Sequence, residues 1–278
     1  MKRRMTLQEV QSVNLEMMKE IHLFCERNDI RYSLAYGSLI GAVRHGGFIP
    51  WDDDIDIMMP RPDFEVFSRS FRSEKGFILS SVYDSDTYVN YTRIYDNRTI
   101  VKGTAKASVE PVGVWIDVFP IDAIPDGLAE RRDQFDRLRN YTALIMRYRR
   151  ILCNICFRNI KYKLRGCLQM MKLFIENGGI PFSKWHQKVI EICKENTFGE
   201  TEMCSSLVCV EANLNNRQEV FSTSDFQDYQ LVPFEDGHFY IIKAYDRVLT
   251  TIFGDYMQIP PEEKRVSHVL KNWTFQWK

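Results

Sequence analysis

No stretch of this chain approaches ~20 uncharged apolar residues, so no helix is expected to span a bilayer. Nor does an apolar run follow the basic start Met1-Lys2-Arg3-Arg4. That excludes a secretory signal there and makes the cytoplasm the expected compartment. Net charge is absent as well: 37 Lys and Arg balance 37 Asp and Glu. A general nucleic-acid binder would carry a basic excess, so that class loses its support. Repeats and low-complexity tracts are missing. The seven cysteines are an odd number at irregular spacing. They read as free thiols, mostly buried, and not as a disulfide framework.

What is present is enough apolar material for a sizeable core: 45% of 278 residues. Thr6-Leu7-Gln8-Glu9 predicts a capping box opening a helix. Leu7, Val10, Val13, Met17, Ile21 and Phe24 then form one apolar stripe, ended by Asn28-Asp29. Ile30 to Tyr36 reads as a strand, Gly37-Ser38 as a tight turn, and Leu39 to Arg44 as a short helix at best. Ile55 to Met59 reads as a strand ended by Pro60, with a helix from Asp63 to about Phe71. Phe77–Tyr83 and Tyr88–Tyr95 are expected strands around a turn at Asp84-Ser85-Asp86. Val112–Phe119 is another, closed by Pro120.

From Gly127 to about Asn196 the pattern is helical, broken at Gly178-Gly179, with Ser183 as a cap for the last helix. Leu207–Val210 reads as a strand. Tyr229–Phe234 and Phe239–Ile242 bracket a hairpin turn at Glu235-Asp236-Gly237. A helix over Tyr245–Phe253 ends at Gly254. The fold class expected is α+β, a mixed sheet with flanking helices and a helical insertion. The division is a catalytic core at 1–126, a basic helical annex at 127–200, and a C-terminal part at 201–278 that supplies the last strands.

The zero average hides a strong asymmetry. Residues 137–175 contain no acid and ten Lys or Arg, leaving 27 basic against 37 acidic residues elsewhere. Tyr141, Leu144, Ile145, Tyr148, Leu152 and Ile155 share one helical face, and Arg147, Arg150, Asn154 and Arg158 the opposite one. Two readings stand side by side: an interfacial element on an anionic membrane, or a helix that packs its apolar face and solvates its basic one. Nucleic acid is the weakest alternative. Cys153 and Cys156 lack a second pair at zinc spacing, and they fall inside this helix.

The sharpest local signal is Trp51-Asp52-Asp53-Asp54-Ile55-Asp56-Ile57-Met58. In a strand, Asp54 and Asp56 share a face while Ile55 and Ile57 turn to the core. Carboxylates one pleat apart repel, and a hard divalent cation relieves them; Mg²⁺ is expected, with Mn²⁺ as the alternative. A solvated acidic edge accounts for Asp52 and Asp53 but poorly for Asp54 and Asp56. Gly37 and Ser38, between a strand and a short helix, are candidates for holding a phosphate. Asp117, between Ile116 and Val118, needs a metal, a cation or backbone donors if buried. It is a candidate third ligand or base, against a structural carboxylate. Arg44, Arg93 and Lys102 are candidate phosphate cations, with surface positions as the alternative. His45 is a weaker candidate base, and Ser38 as a nucleophile has no histidine partner.

At these residues the chain resembles the LicD family, the bacterial phosphocholine-transferase group that also includes the fukutin-related proteins. The matching run extends from Tyr36 through Gly37-Ser38, Arg44-His45 and Trp51 to Asp56. Asp117 to Asp122 is a second match, and Val232–Gly237 through Gly254–Pro261 a third. The resemblance implies a nucleotidyltransferase-like fold with Mg²⁺ on Asp54 and Asp56, and Asp117 as the third acid. It implies transfer of a phospho-alcohol, phosphocholine first, from a CDP-linked donor to a glycan hydroxyl, with release of CMP. Teichoic acid, lipopolysaccharide or capsule precursors are the implied acceptors, some lipid-linked at the inner face of the cytoplasmic membrane. Transfer of NMP from an NTP is the rival enzyme. A non-catalytic scaffold is the rival class, disfavoured because it has no need of converging carboxylates.

Overall fold

The computed structural model describes residues 3–84, 89–103, 113–157, 160–209, 219–267 and 273–278. Among them no helix is long and apolar enough to cross a membrane.

The first helix, α1 (Leu7–Arg27), starts where the sequence predicts. The Thr6 hydroxyl accepts the Glu9 N–H at 3.2 Å, and the Glu9 carboxylate accepts the Thr6 N–H at 2.9 Å. Its stripe of Val10, Val13, Met17 and Ile21 is fully buried. The expected strand after it is reduced to β1 (Ser33–Leu34), because Tyr36 already belongs to α2 (Tyr36–His45). Gly37 and Ser38 are therefore the first turn of a helix, not a tight turn. Gly46, with φ +67°, ends α2.

β2 (Ile55–Pro60) and α3 (Arg61–Ser70) follow, with Pro62 inside the first helical turn, where its missing N–H costs nothing. β3 (Ile78–Ser80) and β4 (Thr92–Tyr95) are shorter than expected, and residues 85–88 of their turn lie outside the described residues. β5 (Thr99–Gly103) leads on to β6 (Trp115–Ile124). Pro120 does not close β6. The strand runs through it because its partner on one edge changes there: β4 ends opposite Val118, and the next partner begins at Asp122. The proline falls in that gap, where no strand bonds the edge.

That next partner is β7 (Met203–Ser205), which pairs with β8 (Val220–Ser222). Leu207–Cys209 is a turn of 3₁₀ helix and not the expected strand. The main sheet runs β1-β2-β6-β4-β3, with β7 and β8 off one side of β6. β2 and β6 are parallel and the other pairs antiparallel, giving a curled, mixed α+β sheet flanked by helices.

β9 (Tyr229–Phe234) and β10 (Gly237–Ile242) form the predicted hairpin, but as a separate ladder. It meets β1 through side chains: the Ser33 hydroxyl accepts the Ile242 N–H at 3.0 Å. β11 (Trp273–Trp277) pairs with β5, also apart from the main sheet. Of the C-terminal strands, then, only β7 and β8 extend the sheet.

α4 (Leu128–Phe157), α5 (Ile160–Glu176) and α6 (Phe182–Cys193) make up the helical stretch, and α7 (Tyr245–Phe253) ends at Gly254. Gly178 and Gly179, both at positive φ, break it as predicted. α6 begins at Phe182 with Pro181 before it, one residue ahead of the expected cap at Ser183. These helices build a second apolar cluster from Leu138, Ile145 and Ile151 of α4, Leu173 of α5, and Trp185, Val189 and Ile192 of α6. Of the two readings left open for the apolar face of α4, the structure shows the packed one: Ile145 is buried, and Tyr141, Leu144 and Tyr148 pack against the same cluster. Arg158 and the side chains of Cys153, Ile155 and Cys156 lie outside what the structure describes. The other five cysteines are free thiols; Cys25, Cys193 and Cys204 are buried and Cys167 is exposed.

Candidate functional site

The site begins at a left-handed residue. Tyr36 has φ +46°, where a side chain with a Cβ is strained, and it swings the chain from β1 sharply into α2. The turn is fixed on both sides. The Ala35 N–H donates to the Asp56 carbonyl at 2.9 Å, and the Tyr36 hydroxyl donates to the Glu219 carboxylate at 3.0 Å. In the first turn of α2, a Cβ on Gly37 would sit 2.6 Å from an Asp52 carboxylate oxygen. Glycine is thus what lets Asp52 approach the helix N-terminus, where backbone N–H groups favour an anion. One residue on, the buried Ser38 hydroxyl accepts the Asp56 N–H at 3.0 Å. Ser38 holds the strand that carries the acids.

The acidic loop is braced from α1. Gln11 donates its amide to the Asp52 carbonyl at 2.8 Å, and the buried Asn14 donates to the Asp53 carbonyl at 2.9 Å. The Ser267 hydroxyl donates to the Asp53 carboxylate at 2.6 Å. Asp52, Asp53 and Asp54 each offer a carboxylate oxygen within 4.8 Å of the others. The alternative of a solvated acidic edge does not hold for Asp53, which is only 2% exposed. Hard oxygen donors converging at this spacing suit Mg²⁺ or Mn²⁺.

Asp56 continues the row into the sheet. It is the register partner of Asp117 on parallel β6, and Asp117 is the register partner of Arg93 on β4. Three strands therefore place Asp56, Asp117 and Arg93 side by side. Arg93 donates to both Asp117 oxygens, at 2.7 and 3.3 Å, and the Trp115 indole donates to one at 3.2 Å. The Arg93 guanidinium also lies over the Trp115 ring, 4.7 Å from its centroid.

The electrostatics follow from this crowding. Burial pushes the Asp54 carboxyl well above the usual range, and Asp56, Asp52, Asp53 and Asp117 push the same way. Asp56 is raised by burial and then by Asp117 and Asp52, with Arg93 pulling it back. Carboxylates held like this are stabilised by a cation of higher charge. The donor set fits a divalent ion.

Arg44, a candidate phosphate cation, donates to the Tyr256 carbonyl at 2.7 Å and to the His45 ring at 3.0 Å. It ties α2 to the segment after α7. Lys102 lies on β5, outside the main sheet. Asp122, the other acid of the second motif, makes a buried ion pair with Arg61 of α3, at 2.5 and 2.9 Å. The Tyr36 ring meets Phe119 edge-on at 5.4 Å, and Tyr91 tilts against the same ring at 4.8 Å, giving the acidic row an aromatic wall.

Sequence reasoning had no purchase on Glu219 or Ser267, whose roles arise from contacts across the chain, and it met Tyr36 only as the head of the matching run. Asn14 had a usable signal: an amide within the buried stripe of a helix needs a partner.

Comparison with known proteins agrees with this geometry. Residues 29–159 match a family model described as LicD/FKTN/FKRP, nucleotidyltransferase domain. Over 273 residues, 96% of this chain and 97% of the relative, the chain is 28% identical to the lipopolysaccharide cholinephosphotransferase LicD of Haemophilus influenzae. It is 34% identical over 70 residues to the human ribitol 5-phosphate transferase FKRP, covering 23% of this chain and 14% of that protein. A 48-residue match at 46% identity, 17% of this chain and 18% of the relative, is to the uncharacterized protein RP689 of Rickettsia prowazekii.

Proposed function

We propose that the chain is a LicD-family transferase, built on a nucleotidyltransferase-like fold, that transfers a phospho-alcohol from a CDP-linked donor to a hydroxyl of a glycan or lipid-linked glycan precursor. Phosphocholine is the group favoured, by analogy with the cholinephosphotransferase that matches end to end. The observation that carries this reading is the row Asp54, Asp56, Asp117 and Arg93, with Asp52 and Asp53 converging on Asp54.

Asp54 and Asp56, joined by Asp52, Asp53 or Asp117, would hold Mg²⁺, which when bound supplies positive charge to the donor's diphosphate. In this reading the acceptor oxygen bonds to the phosphorus that bears the alcohol. The bond from that phosphorus to the CMP oxygen breaks, and CMP leaves with the electron pair. Arg93 neutralises the phosphoryl oxygens, drawing away from one Asp117 oxygen, and that oxygen takes the hydroxyl proton. Gly37 and Ser38 act through position: Gly37 makes room for Asp52, and Ser38 fixes the Asp56 backbone. Arg44 serves as an anchor for the C-terminal segment. The aromatic rings of Tyr36, Tyr91 and Phe119 suit the alcohol end of the donor, above all a quaternary ammonium.

The test is a panel of CDP-choline, CDP-ethanolamine, CDP-glycerol and CDP-ribitol with Mg²⁺ and a glycan acceptor. CMP release with a matching mass gain on the acceptor supports the proposal. Pyrophosphate release from CTP, with no reaction of any CDP-alcohol, would replace it with nucleotidyl transfer.

A further inference from the structure

Among its described side chains, helix α5 is packed on one side. Gly166 and Leu173 are buried against the helical cluster. Leu164, Leu168, Met171 and Ile175 are spaced by four, three and four residues, which brings them onto the opposite face. All four are 59–69% exposed. An uninterrupted apolar stripe on a helix that already has its core contact is unusual on a protein surface.

The stripe's charge surroundings point to its partner. It lies within residues 137–175, which hold ten basic residues and no acid. Arg165 and Lys172 fall on one flank of the stripe and Lys163 on the other, all exposed. The first acid beyond, Glu176, is met by Arg147 at 3.4 Å and Lys172 at 3.6 Å. Long basic side chains beside an apolar stripe can lie along it with their charges at the headgroups. A second copy of the chain is a poor occupant, because pairing two stripes would set two strongly basic surfaces together.

We infer that α5 is the surface by which the protein lies on an anionic bilayer, with Leu164, Leu168, Met171 and Ile175 in the boundary between headgroups and acyl chains. The helix runs parallel to the membrane and does not enter it as a span. This places the interfacial element on α5; the α4 face that the sequence suggests is occupied by packing. The inference deepens the proposed use of a lipid-linked acceptor, but its assay reads no catalysis, so either can fail without the other.

The full chain is sedimented with phosphatidylcholine vesicles, with and without phosphatidylglycerol, at low and high salt. The first variant combines Leu164→Gln, Leu168→Gln, Met171→Gln and Ile175→Gln; the second combines Arg165→Gln and Lys172→Gln. All six side chains are exposed, so melting temperatures should match the parent. The parent should bind the anionic vesicles, more weakly but still measurably at high salt. The first variant should bind ~10-fold or more weakly at both salts, and the second should lose mainly the salt-sensitive part. Equal binding to both vesicle types, or unchanged binding by the first variant, overturns the inference. So does a parent that is oligomeric and vesicle-indifferent while the first variant is monomeric, which would make the stripe an interface between copies.

Discussion

Asp56 and Asp117 differ in what surrounds them, and that separates two substitutions that look alike. Asp56 sits among like charges, its carboxyl raised by burial and by Asp117. Asp56→Asn should abolish transfer yet raise stability without metal by ~1 kcal/mol or more, because one crowded carboxylate is gone. Turnover and melting in EDTA check both halves; a lowered melting temperature there would contradict the crowding. Asp117 is the partner of a half-buried Arg93. Asp117→Asn should lower transfer by about 10²–10⁴-fold and stability by ~1–3 kcal/mol, since Arg93 loses a charged acceptor. Near-normal turnover in Asp117→Asn would reduce that residue to a structural role.

A third titratable residue governs stability, not chemistry. His186 on α6 is buried, its ring meeting only the Val82 carbonyl at 3.2 Å among the described contacts, and burial lowers its pKa. Unfolded histidine takes up its proton near pH ~6.5, before the folded one does. Stability is therefore full above that pH and falls as pH drops toward the lowered folded value. Denaturant melts between pH 7 and 5 should show this fall reduced in His186→Gln.

At the scale of elements, the acidic strand was legible and its supports were not. Asp54 and Asp56 stand out because acids alternating with Ile55 and Ile57 violate the pattern of a buried strand. Asp52 and Asp53 follow no period, so the sequence leaves a solvated edge open for them; Gln11, Asn14 and Ser267, which brace them, come from far along the chain. Pro120 misled because a proline ends most strands; which edge of β6 lacks a partner is decided by β4 and β7, far along the chain. The α2–β2 joint can be tested directly. Ser38→Ala leaves the Asp56 N–H without its acceptor in a buried place, a loss of ~1–3 kcal/mol, and transfer should drop with it. Ser38→Thr keeps a hydroxyl and should recover part of both. Equal melting temperatures for Ser38→Ala and the parent would show that this bond does not hold the strand.

Across the whole molecule, besides a smaller cluster around Phe221, Phe226, Val248 and Ile252, the apolar interior divides between the sheet with α1, α2 and α3 and the cluster of α4, α5 and α6. Sequence periodicity located both but left open which amphipathic faces were core. The face of α4 and the stripe of α5 have similar composition, and only packing tells them apart. The division has a measurable outcome. Leu173→Ala, at a fully buried position, should cost ~2–5 kcal/mol. Hydrogen exchange should speed up in α4–α6 first, while β2 and β6 keep their protection and Mg²⁺ affinity is unchanged. Uniform loss of protection would show that the two interiors unfold together.

The left-handed backbone at Tyr36 also bears on which residues that position accepts. At that position glycine would relax the backbone, a gain of ~1 kcal/mol. Yet glycine has no phenol to reach Glu219 and no ring to set against Phe119. The easiest route to a sturdier backbone thus runs through the wall of the acidic row. Removing the packed ring and its hydrogen bond would cost ~3–5 kcal/mol, so the left-handed tyrosine is held by stability as much as by chemistry.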